Sequence, residues 1–208
     1  SSLLILALFF GIELVICLLV TYIDRFKALD NIFIFDAVSV LNTLVFGGIV
    51  FADLAPSLKW NNFSLTRLLL YMLIAIVFSI AVQFLTSAMN RNIFDEEHYY
   101  YYAFADTGYP RLLMLLVIAV EPALFEELAF RGVITCQLKK ITDARQAIFI
   151  TAFLFAVIHL SFLSLIWLIP FAILLGYIRE RENTIWYGVF MHFCFNAVAC
   201  IMEFFYIA

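Results

Sequence analysis

Charge is scarce in this sequence. Asp, Glu, Lys and Arg together make up 13% of its 208 residues, where a soluble domain carries about a quarter. A water-exposed surface of the ordinary kind is therefore excluded. The few basic residues are scattered through short loops and form no stripe, which excludes nucleic-acid binding. Glycine and proline are also sparse, at 7 and 4 residues, and no Pro/Gly/Ser-rich linker or charge run divides the chain. A single integral membrane domain over 1–208 is expected. The four cysteines, Cys17, Cys136, Cys194 and Cys200, show no CxxC spacing and lie in or beside apolar runs, where they read as small hydrophobic residues. There is no HExxH, no Gly-rich phosphate loop, and no Gly-containing elbow around Ser161 or Ser164. The chain opens at Ser1 without Met, inside an apolar run with no basic leader, and reads as a trimmed or processed chain.

What the sequence has instead is apolar length. It is 66% hydrophobic with a mean hydropathy of +1.05, the composition of a multi-pass integral membrane protein whose main partner is the lipid bilayer. The pattern predicts an all-α polytopic bundle of about seven spans, each near the ~20 residues that a bilayer core requires. They run from Leu3 to Ile23, Ile32 to about Phe51, Leu65 to about Ala88, Leu112 to about Leu138, and Arg145 through His159. A sixth contains Pro170, and the seventh runs from about Ile185 to Ile207. Between the third and fourth, Asn90 to Tyr109 is polar and acidic and contains four consecutive tyrosines, Tyr99 to Tyr102; it is expected to lie at the membrane interface. Loops after the even-numbered spans hold more Lys and Arg than the others, which places them on the cytoplasmic side. No motif repeats between the halves, which counts against an inverted-repeat transporter.

Within this apolar background, Glu126, Glu127 and Arg131 lie inside six residues of the fourth span. Each mid-membrane charge costs at least ~2.5–3.5 kcal/mol, so three together call for a reason. Glu127 and Arg131 are i,i+4 on a helix and can pair, while Glu126 points about 100° away. One reading is a structural ion pair with a spare carboxylate near a polar edge; the other is a held pair beside a working carboxylate. Depth favours the second. At ~1.5 Å per residue, Glu126 lies ~20 Å before Lys139, His159 lies ~21 Å after Arg145, and His192 lies ~15 Å after Glu182. Three separate spans thus carry ionisable groups to similar depth. Phe155 shares a helix face with His159, and Asn196 with His192. Glu and His as bases for a water, with His and Asn as donors to an oxyanion, suit peptide bond hydrolysis. Glu126, His159 and His192 would equally form a hydrolytic zinc set. Water activation with no bound metal ranks first, with a divalent metal such as zinc as the alternative.

Glu126-Glu127-x-x-x-Arg131, Phe155-x-x-x-His159 and His192-x-x-x-Asn196, in this order on successive helices, resemble the three motifs of the CAAX protease and bacteriocin-processing (CPBP, or Abi) family. That family consists of intramembrane endopeptidases and includes the type II CAAX prenyl endopeptidases. The resemblance covers about 112–208. It implies that Glu126 activates the attacking water with help from His159, that His192 and Asn196 form the oxyanion site, and that Glu127 and Arg131 are a supporting pair. It also implies a peptide or protein substrate, with a membrane-anchored or prenylated one among the options. Some relatives act without proteolysis, as scaffolds or regulators of a membrane partner or as bacteriocin-immunity proteins, and this is the competing expectation. A proton- or ion-coupled transporter is a third.

Overall fold

The computed structural model describes residues 1–60, 62–89 and 100–207, with the side chains of 206 and 207 left out. Every regular element among the described residues is helical. Uninterrupted apolar runs make this the only economical choice, because a helix satisfies its own backbone polar groups where no water can. Local signals set the ends. Ser1 accepts from the amide of Leu4 at the start of Ser2–Tyr22, and Asp143 accepts from the amide of Gln146 at the start of Ala144–Ile158. Pro110 opens Pro110–Leu115 at a position where its missing N–H costs nothing. Asn183, at φ 52°, closes Leu165–Glu182 in the left-handed conformation that ends many helices. Pro170 is accommodated within that helix.

Four helices are long and apolar enough to cross a bilayer: Ser2–Tyr22, Leu29–Ile49, Leu65–Met89 and Trp186–Phe205. Their outward residues are mostly apolar; Leu69, Leu73 and Val77, spaced by four on one helix, are all exposed, as lipid contact requires. The chain is therefore a multi-pass membrane protein, all-helical among the described residues. The expected number of about seven spans does not follow from these four. Ala144–Ile158 is apolar but has only 15 residues, Leu165–Glu182 ends in four consecutive charged residues, and 110–138 is broken by changes of helix type.

Those changes bear on the site. From 110 to 138 the chain is helical throughout, but Leu116–Val120 and Glu127–Ile134 are π-helical, with α-helical Glu121–Glu126 between them. Wider turns of this kind are rare and concentrate at functional positions.

Contacts sort the chain into two compact units, Ser1–Asn61 with Phe125–Gly188 and Asn62–Leu124 with Val189–Ala208. In the first, helices Ala144–Ile158 and Leu165–Glu182 form the most extensive pairing. Its core runs from Phe9, Phe46 and Leu54 through Val133 and Ile134 to Phe155 and Ala172. The approach to Trp186 is fixed here: Thr184 Oγ1 and the amide of Ile185 both donate to the carbonyl of Ser57, Trp186 Nε1 donates to the carbonyl of Leu58, and Trp60 stacks on Trp186. In the second unit, Ser79 Oγ donates to the carbonyl of Phe195 at 2.7 Å, bracing Leu65–Met89 against the last helix. Of the expected interfacial segment, residues 90–99 lie outside the described residues. Within the rest, the amide of Tyr101 donates to Glu203 at 2.6 Å and its ring meets that of Phe204 edge-on; just beyond it, Arg111 lies over the same ring.

Candidate active site

In the first unit the first two motifs form one connected chain of contacts. Glu127 and Arg131 sit in the π-helical segment, both fully buried, with Nη1 donating to Oε1 at 2.8 Å. Arg131 Nη2 also reaches the carbonyl of Ala172 at 3.3 Å. The guanidinium lies over the ring of Phe155, 4.6 Å from its centroid. Phe155 in turn lies 4.9 Å from the imidazole of His159 and meets Phe130 edge-on at 5.1 Å. A buried charge needs both a counter-charge and hydrogen bonds, and Arg131 has both. Glu126, one residue before Glu127, is only half-buried. The two adjacent carboxylates therefore diverge as expected, one locked into the protein and one facing elsewhere.

His159 caps the helix Ala144–Ile158 and is exposed. Its Nδ1 lies 2.8 Å from the carbonyl of Phe155. A carbonyl only accepts, so Nδ1 carries a proton, and in the neutral ring the lone pair is on Nε2. One hydrogen bond thus selects the tautomer in which Nε2 is a base or a ligand. The next residue, Leu160, has φ 51°, a left-handed conformation that costs a non-glycine residue about 1–2 kcal/mol and that concentrates at functional sites.

Close packing confines Glu127 from a third side. A Cβ added at Gly188 would come within 2.7 Å of Glu127 Oε2, so the backbone at the start of the last helix passes directly against that carboxylate.

His192 and Asn196 belong to the second unit. His192 is buried. Asn196 Nδ2 donates to the carbonyl of Ile118 at 2.9 Å, inside the other π-helical segment, and its second N–H is available to another acceptor. Side chains meet π-segment carbonyls in the first unit as well: Thr135 Oγ1 donates to Phe130 and Arg179 Nε to Arg131.

The buried carboxylates Glu13 and Glu203 escaped the sequence reading. Glu13, midway along Ser2–Tyr22, accepts from Ser39 Oγ and, at 2.7 Å, from Asn42 Nδ2. Asn42 also reaches the carbonyl of Phe9. Glu13, Cys17 and Asp36 are near enough to Glu126 to interact with it electrostatically. The signal was a carboxylate and an amide in the middle of two apolar runs, each a costly placement.

Residues 108–198 match the family model described as type II CAAX prenyl endopeptidase Rce1-like, somewhat less than half of the chain. The match spans all three motifs and supports, at family level, an intramembrane endopeptidase acting on a peptide or protein. No curated protein and no solved structure matches the chain.

Proposed function

We propose, from the match of residues 108–198 to the Rce1-like family model, that this chain is an intramembrane endopeptidase in which Glu126 activates the attacking water. The observation that carries this reading is the chain of contacts Glu127–Arg131–Phe155–His159, which joins the first two motifs beside the half-buried Glu126 and turns Nε2 of His159 away from its backbone partner. Helical stretches 110–138 and 144–158, and the apolar part 165–178 of the next helix ahead of its four charged residues, are taken as further spans, about seven in all.

In this mechanism Glu126 takes a proton from water as the water oxygen bonds to the scissile carbonyl carbon. His159 Nε2 accepts a hydrogen bond from the same water and orients it. Negative charge collects on the carbonyl oxygen, and donors there stabilise it more in the transition state than in the ground state. His192 and Asn196 are assigned that role by motif position. Collapse breaks the C–N bond, and the departing nitrogen takes the proton from Glu126. Glu127 and Arg131 hold the backbone that carries Glu126. Zinc, for which the motifs would name Glu126, His159 and His192 as ligands, is the competing chemistry, although no group of three His, Cys, Asp or Glu side chains among the described residues is gathered to hold a metal ion; metal analysis of the purified, active protein decides between them.

The test compares membrane proteomes of wild-type and Glu126→Gln cells for accumulated precursors, then assays purified protein on the precursors found. Loss of a general base lowers turnover roughly 100-fold to 10,000-fold. Undiminished cleavage removes Glu126 from the mechanism. Full biological function in the Glu126→Gln cells would move the protein to a scaffolding role.

A further inference from the structure

The π-helical segment Glu127–Ile134 must be held in an uncommon conformation, and one buried cation outside the three motifs is placed to hold it. Arg179, in the last turn of Leu165–Glu182, is 5% exposed. Its Nε donates to the backbone carbonyl of Arg131 at 3.1 Å. Its Nη2 reaches Cys136 Sγ at 3.7 Å, and its Nη1 pairs with Glu180 Oε2 at 3.0 Å. Lys139 clamps both oxygens of Glu180 at 2.8 Å. A helix whose bonding shifts from i→i+4 to i→i+5 offsets its carbonyls from their usual donors, and a buried carbonyl must find another. A guanidinium supplies a donor in a rigid fork with its charge compensated nearby.

We infer that Arg179 is a positioning residue for the proposed active site, acting through the carbonyl of Arg131 to fix the π-helical turn that sets Glu127 and Arg131 beside Glu126. Glu180 and Lys139 extend this clamp to the surface, so that Arg179 enters its site already oriented. This rests on the endopeptidase reading for its catalytic consequence but not for its structural one, and the test has an arm for each.

Hydrogen–deuterium exchange of purified protein in detergent is read for wild type, Arg179→Ala and Arg179→Met, which keeps the buried stem without donors. Arg181→Ala, an exposed change nearby, is the control. Amides of 130–136 should exchange about tenfold faster in the Arg179 variants while helix Ala144–Ile158 keeps its protection. On a quenched-fluorescent prenylated CAAX peptide, kcat should fall about tenfold or more with KM little changed, because a displaced catalytic group costs turnover and not binding. Arg179→Lys, retaining charge and one donor, should recover part of both readouts. Unchanged exchange in 130–136 overturns the inference, as does faster exchange spread evenly over the protein, or failure of both the Ala and Met variants to fold, since either gives Arg179 a general structural role. A wild type that cleaves nothing counts against the endopeptidase reading, while the exchange arm still decides the clamp.

Discussion

The guanidinium of Arg131 rests 4.6 Å from the centre of the Phe155 ring, and through that ring the first motif touches the second. A desolvated cation over an aromatic face is worth up to ~2 kcal/mol, and the ring also walls the imidazole of His159. Replacing Phe155 with Leu keeps much of the apolar volume and removes the aromatic face. It should destabilise the protein by about 1–3 kcal/mol, seen as a lower melting temperature in detergent, and should reduce kcat more than it raises KM.

The pair Glu127–Arg131 should behave as a unit. Removing one partner leaves a buried charge uncompensated and costs about 3–5 kcal/mol, whereas removing both together costs much less than the sum. Chemical denaturation of Glu127→Gln, Arg131→Met and the double variant measures this coupling. Additive losses would show that the two side chains do not depend on each other.

Gly188 should tolerate no side chain. A methyl group there would meet Glu127 Oε2 at 2.7 Å, and that carboxylate is held by Arg131 and cannot swing aside freely. Gly188→Ala should cost about 1–3 kcal/mol by overpacking and lower turnover in parallel. Gly11 and Gly48, whose added Cβ would meet nothing, should accept Ala with little effect in the same melting assay.

Two carboxylates outside the spans make stability depend on acid. The hydrogen bond from Lys140 holds Asp53 below its ordinary range. Burial pushes Glu180 up, but the hydrogen bonds and charges of Lys139 and Arg179 outweigh it and leave it below the ordinary value. A depressed folded-state pKa means stability that is complete above the unfolded value, ~3.9–4.3 for these side chains, and is lost as pH falls through the folded value. Melting temperature should therefore drop below about pH 4, and Asp53→Asn should flatten part of that drop by giving up the same increment of stability at neutral pH.

Much of the site could be read from spacing. The i,i+4 rule anticipated the ion pair between Glu127 and Arg131, the divergence of Glu126 and the ring contact of Phe155 with His159, because each depends only on neighbours along one helix. The π-helical turn under the pair could not be read. It depends on donors from 48 residues away along the chain, such as Arg179 on the carbonyl of Arg131, and on the close passage of Gly188. The span count could be read only in part: four helices are long and apolar enough to cross a bilayer, while Ala144–Ile158 is short and Leu165–Glu182 ends in four charged residues, so apolar length alone does not assign them.

The brace at Glu13 limits how this protein could let a polypeptide in. With Ser39 and Asn42 both engaged on one acid deep in the bilayer, Ser2–Tyr22 and Leu29–Ile49 cannot slide or rotate past each other without stranding hydrogen-bonding groups in hydrocarbon. They should move as a single rigid plate, so that a gate for bulky cargo, if one opens, must hinge somewhere other than along their shared seam.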